Sequence, residues 1–298
     1  MTPETLHRPT PHALARVAFV LVEPCHPGNV GAAARAMRVM GLGDLVLVAP
    51  GVPDALADPQ ALAFASGATE ILANARVCTS LEAAIADASL VVGVSADPRE
   101  FGPPPLAPEV AAQRVFAELA ADPGHRVALV FGTERVGLSV EQVQRCQLLC
   151  SIPGDPNFHS LNLAQAVQII AYVLRRCAQD PSNALALDPQ TDASEPSASP
   201  SPRFASQVAI EGLFEHLERA LVVIGFLDPA HPKKLMPRLR RLFSRTRLEA
   251  EEVDLLRGVC KMAEQAGRAN PPAWTRQAAE PAARSVPTNR RTTGSEST

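Results

Sequence analysis

Three short stretches of this 298-residue chain set polar side chains beside glycine at spacings that could build a reaction site. Asn29-Val30-Gly31 is followed by Arg35, Gly132-Thr133-Glu134 by Gly137, and Ser160-Leu161-Asn162-Leu163 makes the third. A strand that stops at such a loop and restarts as a helix leaves free backbone amides at the helix start, a place to hold a ligand. Glycine lets the backbone come close to a ligand. Taken singly, each stretch is weak. A glycine after a strand is usually a turn, Arg35 reads by default as a solvated charge, and Glu134 as a surface residue. His26 and His159 lie in candidate loops and could serve as acid–base groups. Neither has a carboxylate close in sequence, so they read as loop residues. Gly-x-Gly-x-x-Gly is absent after Val22, as are the Walker pattern and a Gly-x-Ser-x-Gly elbow. Of six scattered cysteines, Cys146 and Cys150 are four apart, but no second Cys/His pair completes a zinc set. Buried free thiols and no metal are expected.

The three stretches must be held by strands and helices, and the hydrophobic pattern supplies them. Val17 to Val22 is an unbroken apolar run, suited to a strand buried on both faces. A Pro24-Pro27-Gly28 loop leads into an Ala-rich helix, Asn29 to Met40, stopped by Gly41, and then into a strand, Leu45 to Val48. Further helices are expected over Ala55 to Gly67, Leu81 to Ala88 and Glu109 to Ala121. Strands are expected at Ala75 to Cys78, Leu90 to Val94 and Val127 to Phe131, with FGPPPLAP as a Pro-rich loop. Ser139 and Gln142 have the spacing of a capping box. Leu148 to Ile152 reads as a buried strand that breaks into a Pro/Gly/Asn loop. The chain restarts as a helix with Leu163, Val167, Ile170, Ala171 and Leu174 on one face. Strands alternating with helices predict an α/β domain with a mainly parallel sheet. Each polar stretch then falls at the C-terminal end of a strand, where such sheets bind ligands.

The rest of the chain differs in composition. Residues 1–15 look like a loose lead-in, 16–178 hold the α/β domain, and 179–203 are Pro/Ser/Asp-rich and read as a linker. Residues 204–265 form a helical, basic domain, with amphipathic helices at 204–227 and 249–265, and 266–298 read as a disordered tail. Residues 233–247 carry seven basic residues and no acidic ones, with Lys233, Lys234, Arg238, Arg241 and Arg245 as candidate nucleic-acid contacts. Net charge is −3, so a basic face must be local. Neither a signal-peptide pattern nor an apolar run of about 20 residues occurs, so a soluble, cytoplasmic protein without a membrane partner is expected.

In this order the three motifs resemble those of the SpoU (TrmH-like) branch of the SPOUT RNA 2′-O-methyltransferases. The resemblance covers residues 16–178 well, and 204–262, with its HPKKLMPRLRRLFSRTR block, reasonably. It implies a parallel sheet with helices on both faces and a C-terminal trefoil knot between about Val127 and Leu174. It also implies S-adenosylmethionine as cofactor, held by Val94, Ser95, Ala96, Gly132, Ile152, Ser160, Leu161 and Asn162. Arg35, Asn29 and Glu134 would be catalytic, with Glu134 fixing Arg35 within the chain or across a homodimer. The substrate implied is tRNA, not DNA, methylated on the ribose of cytidine or uridine at position 32 of the anticodon loop. Another tRNA or rRNA site, or a non-catalytic RNA-binding assembly factor on the same fold, stays open. Removing residues 204–298 is expected to weaken tRNA binding and spare cofactor binding.

Overall fold

The computed structural model describes residues 11–96, 100, 102–155, 157–158, 160–179 and 204–269. The lead-in at 1–10, most of the expected linker, the tail beyond 269 and His159 lie outside these residues.

A short helix, α1 (Pro11–Leu14), leads into β1 (Val17–Val22), whose six residues are all buried. Then follow α2 (Pro27–Val39), β2 (Asp44–Val48), α3 (Pro59–Ala65), α4 (Thr69–Asn74), β3 (Arg76–Cys78) and α5 (Leu81–Ile85). Next come β4 (Leu90–Val94), β5 (Pro105–Leu106), α6 (Pro108–Ala121), β6 (Val127–Phe131), α7 (Val140–Gln144), β7 (Leu148–Cys150) and α8 (Leu163–Gln179). The strands form a seven-stranded sheet in the order β3-β2-β1-β6-β4-β7-β5, parallel at every pairing.

Alternate side chains of the central strands enter two cores. Phe19, Leu21, Leu45, Leu129 and Phe131 face α2, α6 and α8, with the Phe19 and Phe131 rings stacked at 5.6 Å. Val20, Val46, Val91, Val130 and Leu149 face α5 and α7. Burial on both faces explains the unbroken apolar runs. Helix α8 buries the expected Leu163, Val167, Ile170, Ala171 and Leu174, and the expected capping box forms at Ser139 and Gln142. All six cysteines are free thiols; burial pushes those of Cys146 and Cys150 up to about 12, with Glu109 adding to the rise at Cys150.

Several element boundaries depart from the sequence reading, among them β7, which ends at Cys150 and not Ile152, and α5, which ends at Ile85 and not Ala88. The helix expected from Ala55 begins at Pro59, because the Asp58 carboxylate accepts from Gln60 N at 2.8 Å and caps it there. It ends where Ser66 turns to φ 52, and α4 follows as a separate helix. Pro105–Leu106 is an edge strand rather than loop, a place where a proline removes no needed hydrogen bond. The helix expected to stop at 265 continues to Ala269.

Beyond the sheet lie α9 (Gln207–Val223), α10 (Leu235–Ser244) and α11 (Ala250–Ala269). Ser206 caps α9, so that helix starts three residues later than expected, and it closes before Gly225 at φ 78. Helices α9 and α11 pack together, close enough that a Cβ on Gly267 would sit 2.7 Å from the carbonyl oxygen of Val223. Their apolar cluster is small: Ala205, Leu213, Leu248 and Val253 are its buried members.

Candidate active site at the C-terminal edge of the sheet

The loops after β1, β6 and β7 meet through side chains of the three motifs. Glu134, just past β6, turns its carboxylate toward the loop before α2. There Oε2 accepts from Cys25 N at 2.9 Å, and Oε1 accepts from His26 N at 3.2 Å and Asn29 Nδ2 at 3.0 Å. Asn29 Oδ1 in turn accepts from Asn162 Nδ2 at 3.0 Å. Asn162 also starts α8: its Oδ1 accepts from Ala164 N at 2.9 Å while Gln165 Oε1 accepts from Asn162 N at 3.3 Å. Burial alone would raise the Glu134 carboxyl. The hydrogen bonds from Asn29, Cys25 and His26 outweigh it and hold the group below the usual carboxylate value. A charged acceptor therefore pins three loops.

The loop after β6 is a tight turn. Gly137 N donates to Thr133 O at 3.0 Å, Val136 N donates to Thr133 Oγ1 at 3.3 Å, and Gly137 has φ 66. A Cβ on Gly132 would lie 2.0 Å from the Gly137 carbonyl carbon, so the turn closes only over glycine. Gly31 has another job. A Cβ there would meet Ala61 O at 2.0 Å, so this motif glycine lets α2 and α3 touch and is not needed for a ligand.

Beside these loops opens a cleft of about 390 Å³, within the range of roughly 300–1,000 Å³ usual for small-molecule sites. Seven of the eight expected cofactor residues line it: Val94, Ser95, Ala96, Gly132, Ile152, Ser160 and Leu161. Asn162 does not; it caps α8 and donates to Asn29. Leu163 of the third motif lines the cleft too, as do Thr133, Arg135, Val136 and Ala166, which the motif spacing does not mark. Thr133, Arg135 and Val136 lie inside the second motif, between Gly132 and Gly137.

Arg35 stands apart. It is exposed on α2 and makes no hydrogen bond or ion pair with any described residue. Within the chain Glu134 does not fix it, because both carboxylate oxygens are engaged by the loop before α2.

The basic block divides by role. Lys233, Arg238, Arg241 and Arg245 are exposed and pair with no described residue. Lys234 is ion-paired to Glu100, in the loop that follows β4 and the cleft-lining Ser95 and Ala96. Arg240 and Arg247 are structural. Arg240 forks onto Glu211 with two bonds of 2.7 Å and lies 4.4 Å from the Phe214 ring centroid. Arg247 pairs with buried Glu118 and lies 4.3 Å from the Phe204 centroid.

The model of the SpoU rRNA Methylase family matches residues 16–172, more than half of the chain. The chain belongs to the SpoU methylase family. A second model, the C-terminal domain of the tRNA methyltransferase TrmJ, matches residues 208–272. The tRNA (cytidine/uridine-2′-O-)-methyltransferase TrmJ of Escherichia coli K12 is 41% identical over 257 residues, which is 86% of this chain and 98% of that protein. The Salmonella typhimurium LT2 protein of the same description is 42% identical over 252 residues, 85% and 98% of the two chains. Among crystal structures, TrmJ from Z. mobilis ZM4 superposes with a TM-score of 0.69 at 32% identity, covering 84% of this chain and all of that one. A probable methyltransferase from Bordetella pertussis Tohama I covers 57% of this chain and 99% of its own, with a TM-score of 0.54 and 44% identity. No helix among the described residues is long and apolar enough to cross a membrane.

Proposed function

We propose that this SpoU methylase transfers a methyl group from S-adenosylmethionine to the ribose 2′-hydroxyl of cytidine or uridine in tRNA, at position 32 of the anticodon loop. The carrying observation is the chain of hydrogen bonds from Cys25 and His26 through Glu134 and Asn29 to Asn162, which ties three loops together beside one cleft. The TrmJ relatives, aligned over nearly their whole length, supply the substrate class.

The cleft fits the cofactor. Its volume suits a nucleoside with a short charged tail, aliphatic Val94, Ile152, Leu161 and Leu163 offer faces for a flat base, and Ser95, Thr133 and Ser160 offer hydroxyls. S-adenosylmethionine, when bound there, supplies a methyl group on a sulfonium whose departure leaves a neutral thioether. What the protein must add is chiefly positioning.

Arg35 is the group assigned to the ribose. Its guanidinium, with a free pKa of roughly 12.5 or above, is a poor base at neutral pH. It binds the phosphate next to the target ribose and aims the 2′-hydroxyl, whose proton passes to that phosphate or to a transiently neutral guanidinium as the methyl group is transferred. Asn29 positions substrate from a side chain that Glu134 and Asn162 hold from both ends. The expected partner for Arg35 is then a second copy of the chain, in a cytoplasmic homodimer that completes each site. The segment from β6 through α8 is assigned the trefoil knot, and residues 204–269 the tRNA-binding module, whose contacts are Lys233, Arg238, Arg241 and Arg245, with Lys234 freed from Glu100.

The test is to incubate the purified full-length protein with methyl-labelled cofactor and unmodified tRNA, and to map the labelled nucleotide. Label on the ribose at position 32 is expected. Label at another nucleotide overturns the position, and no transfer to any tRNA overturns the function.

A further inference from the structure

Arg135 is the one cation among the described residues that line the cleft. It is exposed, and it makes no hydrogen bond or ion pair with any described residue. Its neighbour Glu134 would be the obvious counter-ion, but both oxygens of that carboxylate are taken by Cys25 N, His26 N and Asn29 Nδ2. The carboxylate is turned to the loop before α2, and the guanidinium is left at the cleft. Nor is Arg135 on a loose loop. The turn that carries it is closed by Gly137 N to Thr133 O at 3.0 Å and Val136 N to Thr133 Oγ1 at 3.3 Å. Gly132 leaves that turn no room for another shape, since even a Cβ would collide with Gly137. A planar fork of donors on a rigid turn, with its backbone already ordered, is suited to a two-oxygen anion.

We propose that Arg135 is a ligand-contacting residue that receives an oxyanion at the cleft: the carboxylate of the cofactor's amino-acid tail or a phosphate of the tRNA beside the target ribose. The assignment rests on the methyltransferase function proposed above. Arg35 and Arg135 then divide the work, the first on the helix after β1 and the second on the turn after β6.

The experiment uses the full-length protein with Arg135→Gln and Arg135→Lys. Affinities are measured for S-adenosylmethionine and for its decarboxylated analogue, and KM for tRNA is measured across a salt series. If the anion is the carboxylate, Arg135→Gln binds S-adenosylmethionine about ten- to a hundredfold more weakly, as for removal of a hydrogen bond to a charged group. Its affinity for the decarboxylated analogue stays that of the wild type. If the anion is a phosphate, cofactor affinity holds, KM for tRNA rises, and the slope of log KM against log salt falls by roughly 0.7–0.9. Lys, which keeps the charge and loses the fork, falls between Gln and wild type in whichever arm responds. Unchanged values in both arms, within twofold, overturn the proposal. So does an equal loss in Gln and Lys with a lowered melting temperature, which marks a purely structural role. Silent variants of an active wild type sink Arg135 alone. A wild type that neither binds cofactor nor methylates tRNA sinks the function and Arg135 together.

Discussion

The sheet edge and the helical module are built on opposite principles. At the edge, two apolar cores hold the strands, and the site rests on backbone: a glycine turn, peptide N–H groups on Glu134, and loops too close for side chains. The helical module has few buried apolar residues and is docked to the sheet by polar side chains. Gln147, just before β7, accepts from Val91 N at 2.7 Å and donates to Gln207 Oε1 at 2.7 Å. Gln207 reaches Glu211 at 3.2 Å, and Glu211 holds Arg240. Ordered backbone has no rotamers to lose when a ligand arrives, which suits the precise placement of a methyl donor. Polar docking leaves a charged surface free, which suits a phosphate chain of variable shape. Substitutions at the edge should therefore cost stability and cofactor binding together, and those on the module should separate them.

The largest effect is expected at Gly132. Gly132→Ala forces a Cβ into the Gly137 backbone, where no side chain can give way. Overpacking of this kind costs about 1–3 kcal/mol and sometimes more. The melting temperature should fall, and calorimetric cofactor binding should weaken at least tenfold. A variant with normal affinity would show that the turn is not part of the cofactor seat.

Next is Glu211→Ala, which strands a mostly buried Arg240 and loosens the Gln207–Gln147 link. Breaking a partly buried pair should cost about 1–3 kcal/mol. Cofactor affinity should stay within twofold, because Glu211 is not among the residues that line the cleft. A large drop in cofactor affinity would mean that docking and site are coupled, and the contrast between the regions would soften.

Glu134→Gln keeps the shape but removes the charge and turns one acceptor oxygen into an NH2 that faces an N–H donor, at an expected cost of about 1–2 kcal/mol. Its pH signature is specific. The carboxyl is held below its ordinary value of 4.5, so its contribution is fully present above that pH and is lost as pH falls below it toward the folded value. Wild-type stability should show this acid loss, and the Gln variant should show less of it. Turnover should fall by about tenfold or more as Asn29 loses its fixed acceptor. An unchanged acid profile would show that the network carries no charge-dependent stability.

How far the sequence could be read depended on whether a feature was local. Strands buried on both faces announce themselves as apolar runs, so β1, β4 and β6 were visible to within a residue. Convergence of Asn29, Glu134 and Asn162 was expected because their loops end parallel strands. Two residues in an edge strand, Pro105–Leu106, carry no period and were missed. That Gly31 serves helix contact and Gly132 turn closure depends on what each faces, and spacing does not carry that. Nor does charge reveal its partner: seven basic residues in one run look alike, yet Arg240 and Arg247 are structural because Glu211, Glu118 and two phenylalanines come from distant parts of the chain. A threaded chain end would be invisible to periodicity, since every local element of a knot is ordinary.

The smallest effect on the fold, and the cleanest separation, is expected from removing the exposed charges. Deleting residues 204–298 would be a blunt test of tRNA binding, because it also removes Gln207 from Gln147 and uncovers Glu118 by taking away Arg247. Arg238→Ala, Arg241→Ala and Arg245→Ala together leave every described hydrogen bond and ion pair intact, because these three side chains make none. Stability should stay within about 0.5 kcal/mol, as for surface sites generally. The affinity for tRNA should fall, and its salt dependence should flatten by roughly 0.7 for each phosphate no longer neutralised, about 2 in all if each arginine meets one. Cofactor affinity, measured on the same preparation, should not move. A melting temperature that drops with the triple substitution would place these arginines with Arg240 and Arg247 in the docking surface. Unchanged tRNA affinity at moderate salt would remove this face of α10 from the RNA path and leave Arg135 at the cleft and Arg35 on α2 to hold the backbone.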